Sequence, residues 1–251
     1  SVATKKNKYK NEKGEKALVY KQEGFPMPSK EKYIPILLKH NYTIIIVEQI
    51  TSKPSIERDV VEILSPGTTL WNTSGSIHNF FMSVFIEKLS LQSSFFYQCG
   101  VSCIDLSTGK NYIHSIDYDR DSNYWSDELS RLFHFYNPSE ILVQFENCYF
   151  SETDMIYRWD LNECLVHINF FQQSIYKKPS YQNERLHELF SIKTMMTPIE
   201  YFELDRKPNA CLSYIYMIEY IREHKQSIVN NIDFPQETMN EHSLVLHSNS
   251  I

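Results

Sequence analysis

Five acidic side chains are of types that could do metal chemistry if the fold brought them together. Asp105 follows the apolar run FFYQCGVSCI, Glu140 begins the run EILVQF, and an acidic loop lies between them. Acidic residues at strand ends can hold two metal ions for phosphodiester hydrolysis. The acids of the loop are Asp117, Asp119 and Asp121.

A plainer interpretation of these acids competes with the nuclease. Asp105 stands in the turn IDLSTG, and DYDRDS has the composition of a solvated loop. The spacing of the acids follows no magnesium-site pattern, and the run EILVQF offers no second inward-facing acid. We therefore favour structural roles, and a nuclease that uses Asp105 and its neighbours remains the alternative.

Other catalytic motifs do not occur in the sequence. The nine histidines include no H-E-x-x-H pair, and the chain has no G-x-S-x-G, G-x-x-x-x-G-K-[ST] or G-x-G-x-x-G. We predict no catalytic residue, no metal site and no cofactor in this chain. The five cysteines form no C-x-x-C pair, which predicts core thiols in a reducing, intracellular compartment. They are Cys99, Cys103, Cys148, Cys164 and Cys211.

The positive charge is concentrated at the start of the chain. Residues 1–66 hold 12 Lys and Arg against 8 Asp and Glu, whereas the net charge of the whole chain is −6. A polyanion such as DNA would therefore meet the N-terminal part. The candidate contacts there are Lys5, Lys6 and Lys8, with Tyr9 and Tyr20 beside them as aromatic surfaces on which bases can stack.

The pattern of apolar residues divides the chain into three parts. In residues 1–68 we predict a hairpin around Gly14, a helix that Ser29 caps, and two strands, of which Val47–Gln49 would be buried. In residues 69–182 a three-strand meander, a helix and two buried strands predict an α/β layer with a mixed sheet. The pattern of residues 183–251 predicts helices.

One of these late helices is apolar nearly all round. Between Ala210 and Ile221 only Ser213 and Glu219 are clearly polar. Such a helix must be covered on all sides, so we expect further chain beyond Ile251 to cover it. No run is long enough to span a membrane, and the N-terminus has no secretory signal pattern.

Four of these ordinary segments resemble the MutS family of DNA mismatch-repair proteins. The first runs from GFPMPSKEKYIPILLKHNYTIIIVEQI to ERDVVEILSPGT; the others are GVSCIDLSTGK, NPSEIL and ACLSYIYMIEYIREHKQSIVNNI, in the family's order. The matching positions of the first segment are Gly24, Pro26, Tyr33, Ile34, Leu37, Tyr42, Val47, Glu48, Gln49, Arg58, Val60, Val61, Pro66, Gly67 and Thr68.

The resemblance implies a domain for each part. Residues 1–68 are similar to the C-terminal part of the mixed α/β mismatch-recognition domain. Residues 69–182 resemble the connector, an RNase H-like domain without nuclease activity, and residues 183–251 the start of the helical core and lever. The fold class expected is thus mixed α/β, in an N-terminal fragment of a longer protein.

The resemblance also implies partners and cofactors. The parent protein would be a DNA-binding, DNA-dependent ATPase and a homodimer, with its Walker motifs outside these residues and ATP and Mg²⁺ as cofactors. Its partners would be double-stranded DNA, mismatched or branched, and a MutL-type protein at the connector; no membrane partner is expected.

Departures from the family pattern leave further interpretations open. Pro28 stands where the family often has His or Arg on the DNA backbone, so Lys30 and Lys32 become candidate DNA contacts in compensation. In the family the Phe-x-Glu mismatch wedge lies N-terminal to the segment that matches here, so it is not among these residues. An alternative is a homologue that binds branched DNA without mismatch recognition. The abundance of Ile, Asn, Lys, Tyr and Phe suggests an AT-rich genome and a divergent viral or organellar branch.

Overall fold

The chain has a mixed α/β fold, as predicted. The structure is a computed structural model, and it describes residues 3–7, 20–24, 27–51, 57–69, 79–91, 94–117, 123–169, 174–224 and 232–237. Among these residues no helix is long and apolar enough to cross a membrane.

The first part of the chain contains two antiparallel strand pairs and one helix. The strands are β1 (Ala3–Asn7), β2 (Tyr20–Gly24), β3 (Ile44–Gln49) and β4 (Arg58–Leu64). β1 pairs with β2, and β3 pairs with β4. Helix α1 (Lys30–Lys39) follows a 3₁₀ turn at Met27–Ser29. The predicted hairpin, helix and strands are therefore present, although Gly14 lies outside the described residues.

Two local predictions in this part are wrong. Ser29 stands at the N-cap of α1 but makes no side-chain capping bond, because its φ of −92° and ψ of 3° differ from the extended backbone of a capping residue. Val47, predicted to be buried, is 53% exposed. Among the described residues, α1 packs against Ile44 and Ile46 of β3, whereas Ile45 and Val47 are exposed.

A five-stranded mixed sheet forms the centre of the molecule. Its strands are β5 (Phe80–Leu91), β6 (Ser94–Asp105), β7 (Asn111–Ile116), β8 (Glu140–Glu146) and β9 (Leu165–Asn169). They lie in the order β7-β6-β5-β8-β9. β5, β6 and β7 form the predicted antiparallel meander, whereas β8 and β9 run parallel to β5. A first strand in the middle, with its hairpin on one side and parallel strands on the other, is the strand order of an RNase H-like sheet.

Helices cover both faces of this sheet. They are α2 (Tyr124–Tyr136), α3 (Glu152–Trp159), α4 (Pro179–Leu189), α5 (Pro198–Tyr201) and α6 (Pro208–His224). Because side chains alternate along a strand, β5 sends Met82, Val84 and Ile86 to a core with α2 and α3. It sends Phe81 and Phe85 to a second core with α4, α5 and α6.

The helix that is apolar nearly all round is α6, and the sheet covers it. Its residues from Asn209 to Ile218 are all buried, and they share a core with β5, β6 and α4. The prediction that this helix is covered is therefore confirmed. The cover differs from the one expected, because it comes from strands far earlier in the chain rather than from residues beyond Ile251.

α6 lies antiparallel to β5 along most of the length of that strand. Near its start, Asn209 donates to Glu87, with 2.9 Å between Nδ2 and Oε2. In its middle, the Ser213 hydroxyl donates to the carbonyl of Ser83 at 2.8 Å. Near its end, the ring of Tyr220 stacks on Phe81 with centroids 4.9 Å apart. The helix is thus fixed to the sheet at both ends.

The predicted division at residues 68/69 and 182/183 stays a prediction. The second boundary falls inside α4, and α4 and α6 share a core with the sheet. In packing terms, the five strands β5 to β9 and the helices α2 to α6 form one body, which we call the sheet unit.

Gly100 permits the closest approach between α6 and the sheet. A Cβ atom at this position would lie 1.9 Å from the carbonyl oxygen of Asn209 and 2.3 Å from the nitrogen of Ala210. Both atoms belong to the backbone of α6, so a rotamer change cannot relieve the clash. Only glycine at this position lets the first turn of α6 pack directly against β6.

We expect Gly100→Ala to lower the free energy of unfolding by about 3 kcal/mol or more, because the methyl group must displace α6. Urea denaturation followed by circular dichroism measures the change. Ser115→Ala is the control, since Ser115 pairs with Gly100 in the next strand but is only half-buried. Equal stabilities of the two variants would contradict the close approach.

Candidate functional site

A buried carboxylate joins three distant segments of the chain. Glu140, the first residue of β8, is 0% exposed. Its Oε2 accepts a hydrogen bond from the backbone N–H of Gly67 at 2.8 Å. Its Oε1 lies 2.6 Å from the hydroxyl of Tyr220 on α6 and 2.9 Å from Nε2 of His167 on β9. Ser65 also hydrogen-bonds this carboxylate.

The turn that meets Glu140 is built by its own hydroxyls and by one asparagine. The hydroxyl oxygens of Ser65 and Thr68 lie 2.6 Å apart. Nδ2 of Asn79 donates to the carbonyl of Pro66 at 2.7 Å, and the Ser139 hydroxyl donates to Oδ1 of Asn79 at 2.6 Å. The turn after β4 is therefore held to the residue that precedes Glu140 as well as to Glu140 itself.

Gly67 is required for contact with Glu140. A Cβ atom at Gly67 would lie 2.7 Å from Cβ of Glu140 and 3.2 Å from Cβ of Phe81. The φ of Gly67 lies outside the left-handed region, so the backbone of the turn does not itself require a glycine here. The missing side chain is what lets the backbone N–H reach the carboxylate.

The charge of Glu140 is stabilised by its donors. Burial opposes ionisation, but hydrogen bonds from His167, Ser65, Tyr220 and Gly67 outweigh it and hold the pKa of Glu140 below its ordinary value. An ionised carboxylate only accepts hydrogen bonds, so Nε2 of His167 must carry the proton between the two groups. We call this carboxylate, with its donors from three segments, the Glu140 junction.

The surroundings of Tyr220 keep its hydroxyl protonated, so that it can donate a hydrogen bond. Burial first, and then the charge of Glu140, raise the pKa of Tyr220 well above its ordinary value, so the hydroxyl keeps its proton. The ring of His224, the last residue of α6, packs against Tyr220 in a tilted arrangement with ring centroids 4.1 Å apart. The end of α6 is thus packed around the contact with Glu140.

The predicted DNA contacts lie in the first part of the chain. Lys5 and Lys6 are in β1, opposite Gln22 and Lys21 of β2. Lys30 begins α1, and Lys32 is exposed one residue beyond Glu31 on the same helix turn. Lys8 lies outside the described residues. Lys30 and Lys32 thus lie on the first turn of α1, two residues apart and on different sides of the helix; Lys30 is half-buried and Lys32 is exposed.

The acids proposed for a nuclease do not form a shared site in the described residues. The carboxylate of Asp105 is buried and accepts hydrogen bonds from the backbone N–H of Ser107 at 2.9 Å and from its hydroxyl at 2.6 Å. Asp105 and Glu140 flank β5, two strand spacings apart, which is about 10 Å.

The remaining nuclease acids add nothing to a metal site. Asp117 is exposed, and Asp119 and Asp121 lie outside the described residues. No group of three metal-binding side chains occurs in the part of the chain that the structure describes. The nuclease alternative thus finds no support, and Asp105 has the turn-forming role that the sequence favoured.

The sequence pattern singles out Glu140 but not its partners. Glu140 was weighed as a metal ligand, whereas His167, Tyr220 and Ser65 were assigned no role. The available signal was the pair of motifs SPGT and NPSE, whose Gly67 and Glu140 meet across 73 positions. The five cysteines are all free thiols, three buried and two half-buried.

We expect Glu140→Gln to lower the free energy of unfolding at pH 7 by about 3 kcal/mol, because an amide would point N–H groups at donors. The folded pKa of Glu140 is lowered, so its stabilisation is complete above the unfolded pKa and is lost as the pH falls through the folded pKa. The stability gap between wild type and variant should therefore be constant down to about pH 5 and shrink towards pH 3. Urea titrations at these pH values measure it, and a gap that does not depend on pH would contradict an ionised Glu140.

Comparisons with known proteins agree with the sequence resemblance. A family model described as MutS domain I matches residues 2–73. The DNA mismatch repair protein mutS homolog L359 of Acanthamoeba polyphaga mimivirus is 26% identical over 245 residues, which cover 88% of this chain and 22% of the relative. The DNA mismatch repair protein MutS of Caldanaerobacter subterraneus subsp. tengcongensis is 26% identical over 218 residues, 84% of this chain and 22% of the relative.

A higher identity is found over a shorter segment. The DNA mismatch repair protein MutS of Thermodesulfovibrio yellowstonii is 34% identical over 125 residues, which cover 48% of this chain and 12% of the relative. The chain spans about a fifth of the length of the two relatives that it matches almost throughout. The domain model, the relatives and the four ordered motifs agree: this chain is similar to proteins of the MutS family over most of its length.

Proposed function

We propose that this chain is the part of a MutS-like mismatch-repair protein that contacts DNA with its first segment, residues 1–68, and passes the effect of that contact to the rest of the protein. The observation that carries the proposal is the Glu140 junction. It connects the turn at the end of the first segment to the central sheet and to α6.

The DNA-contacting role is supported by charge. The lysines of residues 1–66 give this segment a positive net charge in a chain that is negative overall. Lys30 and Lys32 lie at the start of α1, where the helix dipole adds to their attraction for phosphate. Lys5, Lys6 and Lys8 belong to the same segment.

The relay role is supported by packing. α6 is buried along most of its length and is fixed to the sheet by Asn209 at its start and Tyr220 at its end. A movement of the first segment acts on the turn at Gly67, and through Glu140 it acts on α6. The sheet unit is thus a mechanical link between the two sides.

The longer protein that we propose has properties that no residue of this chain supplies. It would be a homodimeric, DNA-dependent ATPase with ATP and Mg²⁺ bound elsewhere in its sequence. A MutL-type protein would dock on the sheet unit. These properties come from the family that the chain resembles, and they are part of the proposal.

We expect the double variant Lys30→Glu/Lys32→Glu to bind a duplex of about 40 base pairs roughly tenfold more weakly at about 50 mM salt, because attraction to two phosphates is replaced by repulsion. The slope of log affinity against log salt should fall by roughly 0.9 for each phosphate that is no longer neutralised. Fluorescence anisotropy measures both quantities. Lys110→Glu, an exposed lysine on the sheet unit, is the control with the same charge change per site, and an equal loss of affinity in this control would contradict a DNA contact at α1.

Mismatch recognition is tested with three DNA probes in the full-length protein that carries this chain. A fully paired duplex, the same duplex with one mismatch and a four-way junction are titrated at several salt concentrations. We expect the mismatched duplex to bind more tightly than the paired one, because a mispaired site costs less to unstack and bend. Tightest binding to the junction would instead favour a homologue that recognises branched DNA.

A further inference from the structure

The two oxygens of Glu140 are divided between the two sides of the junction. Oε2 receives the N–H of Gly67, which belongs to the turn that ends the first segment. Oε1 receives the hydroxyl of Tyr220 and Nε2 of His167, which belong to α6 and to the sheet edge. The planar carboxylate of Glu140 is therefore bonded both to the turn and to α6 and β9, and its orientation depends on all of these donors.

Among the donors to Glu140, Tyr220 can be removed with the least change to the rest of the structure. His167 is fixed by the pairing of β9 with β8. Gly67 donates through its backbone N–H, which a side-chain substitution does not remove. The hydroxyl of Tyr220, in contrast, is a single atom at the end of a ring that stacks on Phe81. A small displacement of the end of α6 would weaken this hydrogen bond first, because a hydrogen bond depends more steeply on distance and angle than the contact between two stacked rings does.

The loss of this donor has a consequence at the turn. A buried carboxylate that loses a hydrogen bond must find another donor or water. The Ser65 hydroxyl is another donor to the same carboxylate, so a reorientation of the carboxylate disturbs the turn at Ser65 as well as at Gly67. The N–H of Gly67 then loses its well-oriented acceptor.

We infer that Tyr220, Glu140 and Gly67 form a latch, in which the position of the end of α6 sets whether the turn at residues 65–69 is fixed or free. Tyr220 is a positioning residue in this device, because it acts on the turn through Glu140. The latch deepens the relay proposed above and rests on it for its biological meaning. Every group that it requires lies within this chain.

Amide hydrogen exchange tests the latch without DNA. We expect Tyr220→Phe, which keeps the stacked ring and removes one hydroxyl, to speed the exchange of the Gly67 amide roughly tenfold. Tyr214→Phe is the matched control. It lies on the same buried helix and loses an equivalent hydrogen bond, from its hydroxyl to Oδ1 of Asn111 at 3.1 Å, but that bond is remote from Glu140.

A second and milder variant tests the opposite direction, from the turn to the end of α6. Coupling between two sites is reciprocal, so Ser65→Ala, which removes a donor on the turn side, should speed exchange of the amides at the end of α6. The amide of Val143 in the middle of β8 reports whether the sheet stays folded. Should Tyr220→Phe unfold the chain, the Ser65→Ala measurement decides alone.

The outcomes separate the latch from the proposed function. Equal effects of Tyr220→Phe and Tyr214→Phe on Gly67, or no effect of Ser65→Ala on the end of α6, would overturn the latch. DNA affinity of the lysine variants is unaffected by either result. Coupled exchange in a chain whose lysines do not bind DNA would leave the latch standing and remove the proposed DNA contact.

Discussion

A fully buried carboxylate must be surrounded by donors, and this requirement organises the molecule around Glu140. The donors come from the turn after β4, from β9 and from α6. Leaving such an anion short of a donor costs far more than leaving an exposed polar group short of one. The three segments are therefore held together by the solvation of one charge, and each depends on the position of the others.

The attachment of α6 depends on a second constraint, which is the close approach of its backbone to the sheet. Gly100 lets the start of the helix touch the backbone of β6. Further along, the hydroxyl of Ser213 bonds to the carbonyl of Ser83 and lies 3.0 Å from the hydroxyl of Ser102. These side chains are small enough for close packing, and each polar atom among them has a partner. A helix that looks almost purely apolar in sequence is thus oriented by a few polar contacts.

Local patterns in the sequence predicted most of the elements, and long-range contacts account for what they missed. Alternation and β-branched content identified the strands of the meander, and helical spacing identified α2, α4 and α6. The cap at Ser29 failed because the preceding 3₁₀ turn sets its backbone. The roles of Gly67 and Tyr220 could not be predicted, since their partner Glu140 lies 73 and 80 positions away. The family resemblance found the two motifs, but only the structure shows that they touch.

The antiparallel course of α6 along β5 has a mechanical consequence. Its outermost attachments, at Asn209 and Tyr220, are separated by about 17 Å of helix, and Ser213 is held to the sheet between them. A rod pinned at both ends does not yield in proportion to a load. It resists until the weaker pin gives way, and then it pivots about the other. Under the relay proposed above, the end of α6 would therefore move in one step once the weaker attachment breaks, rather than in proportion to the load.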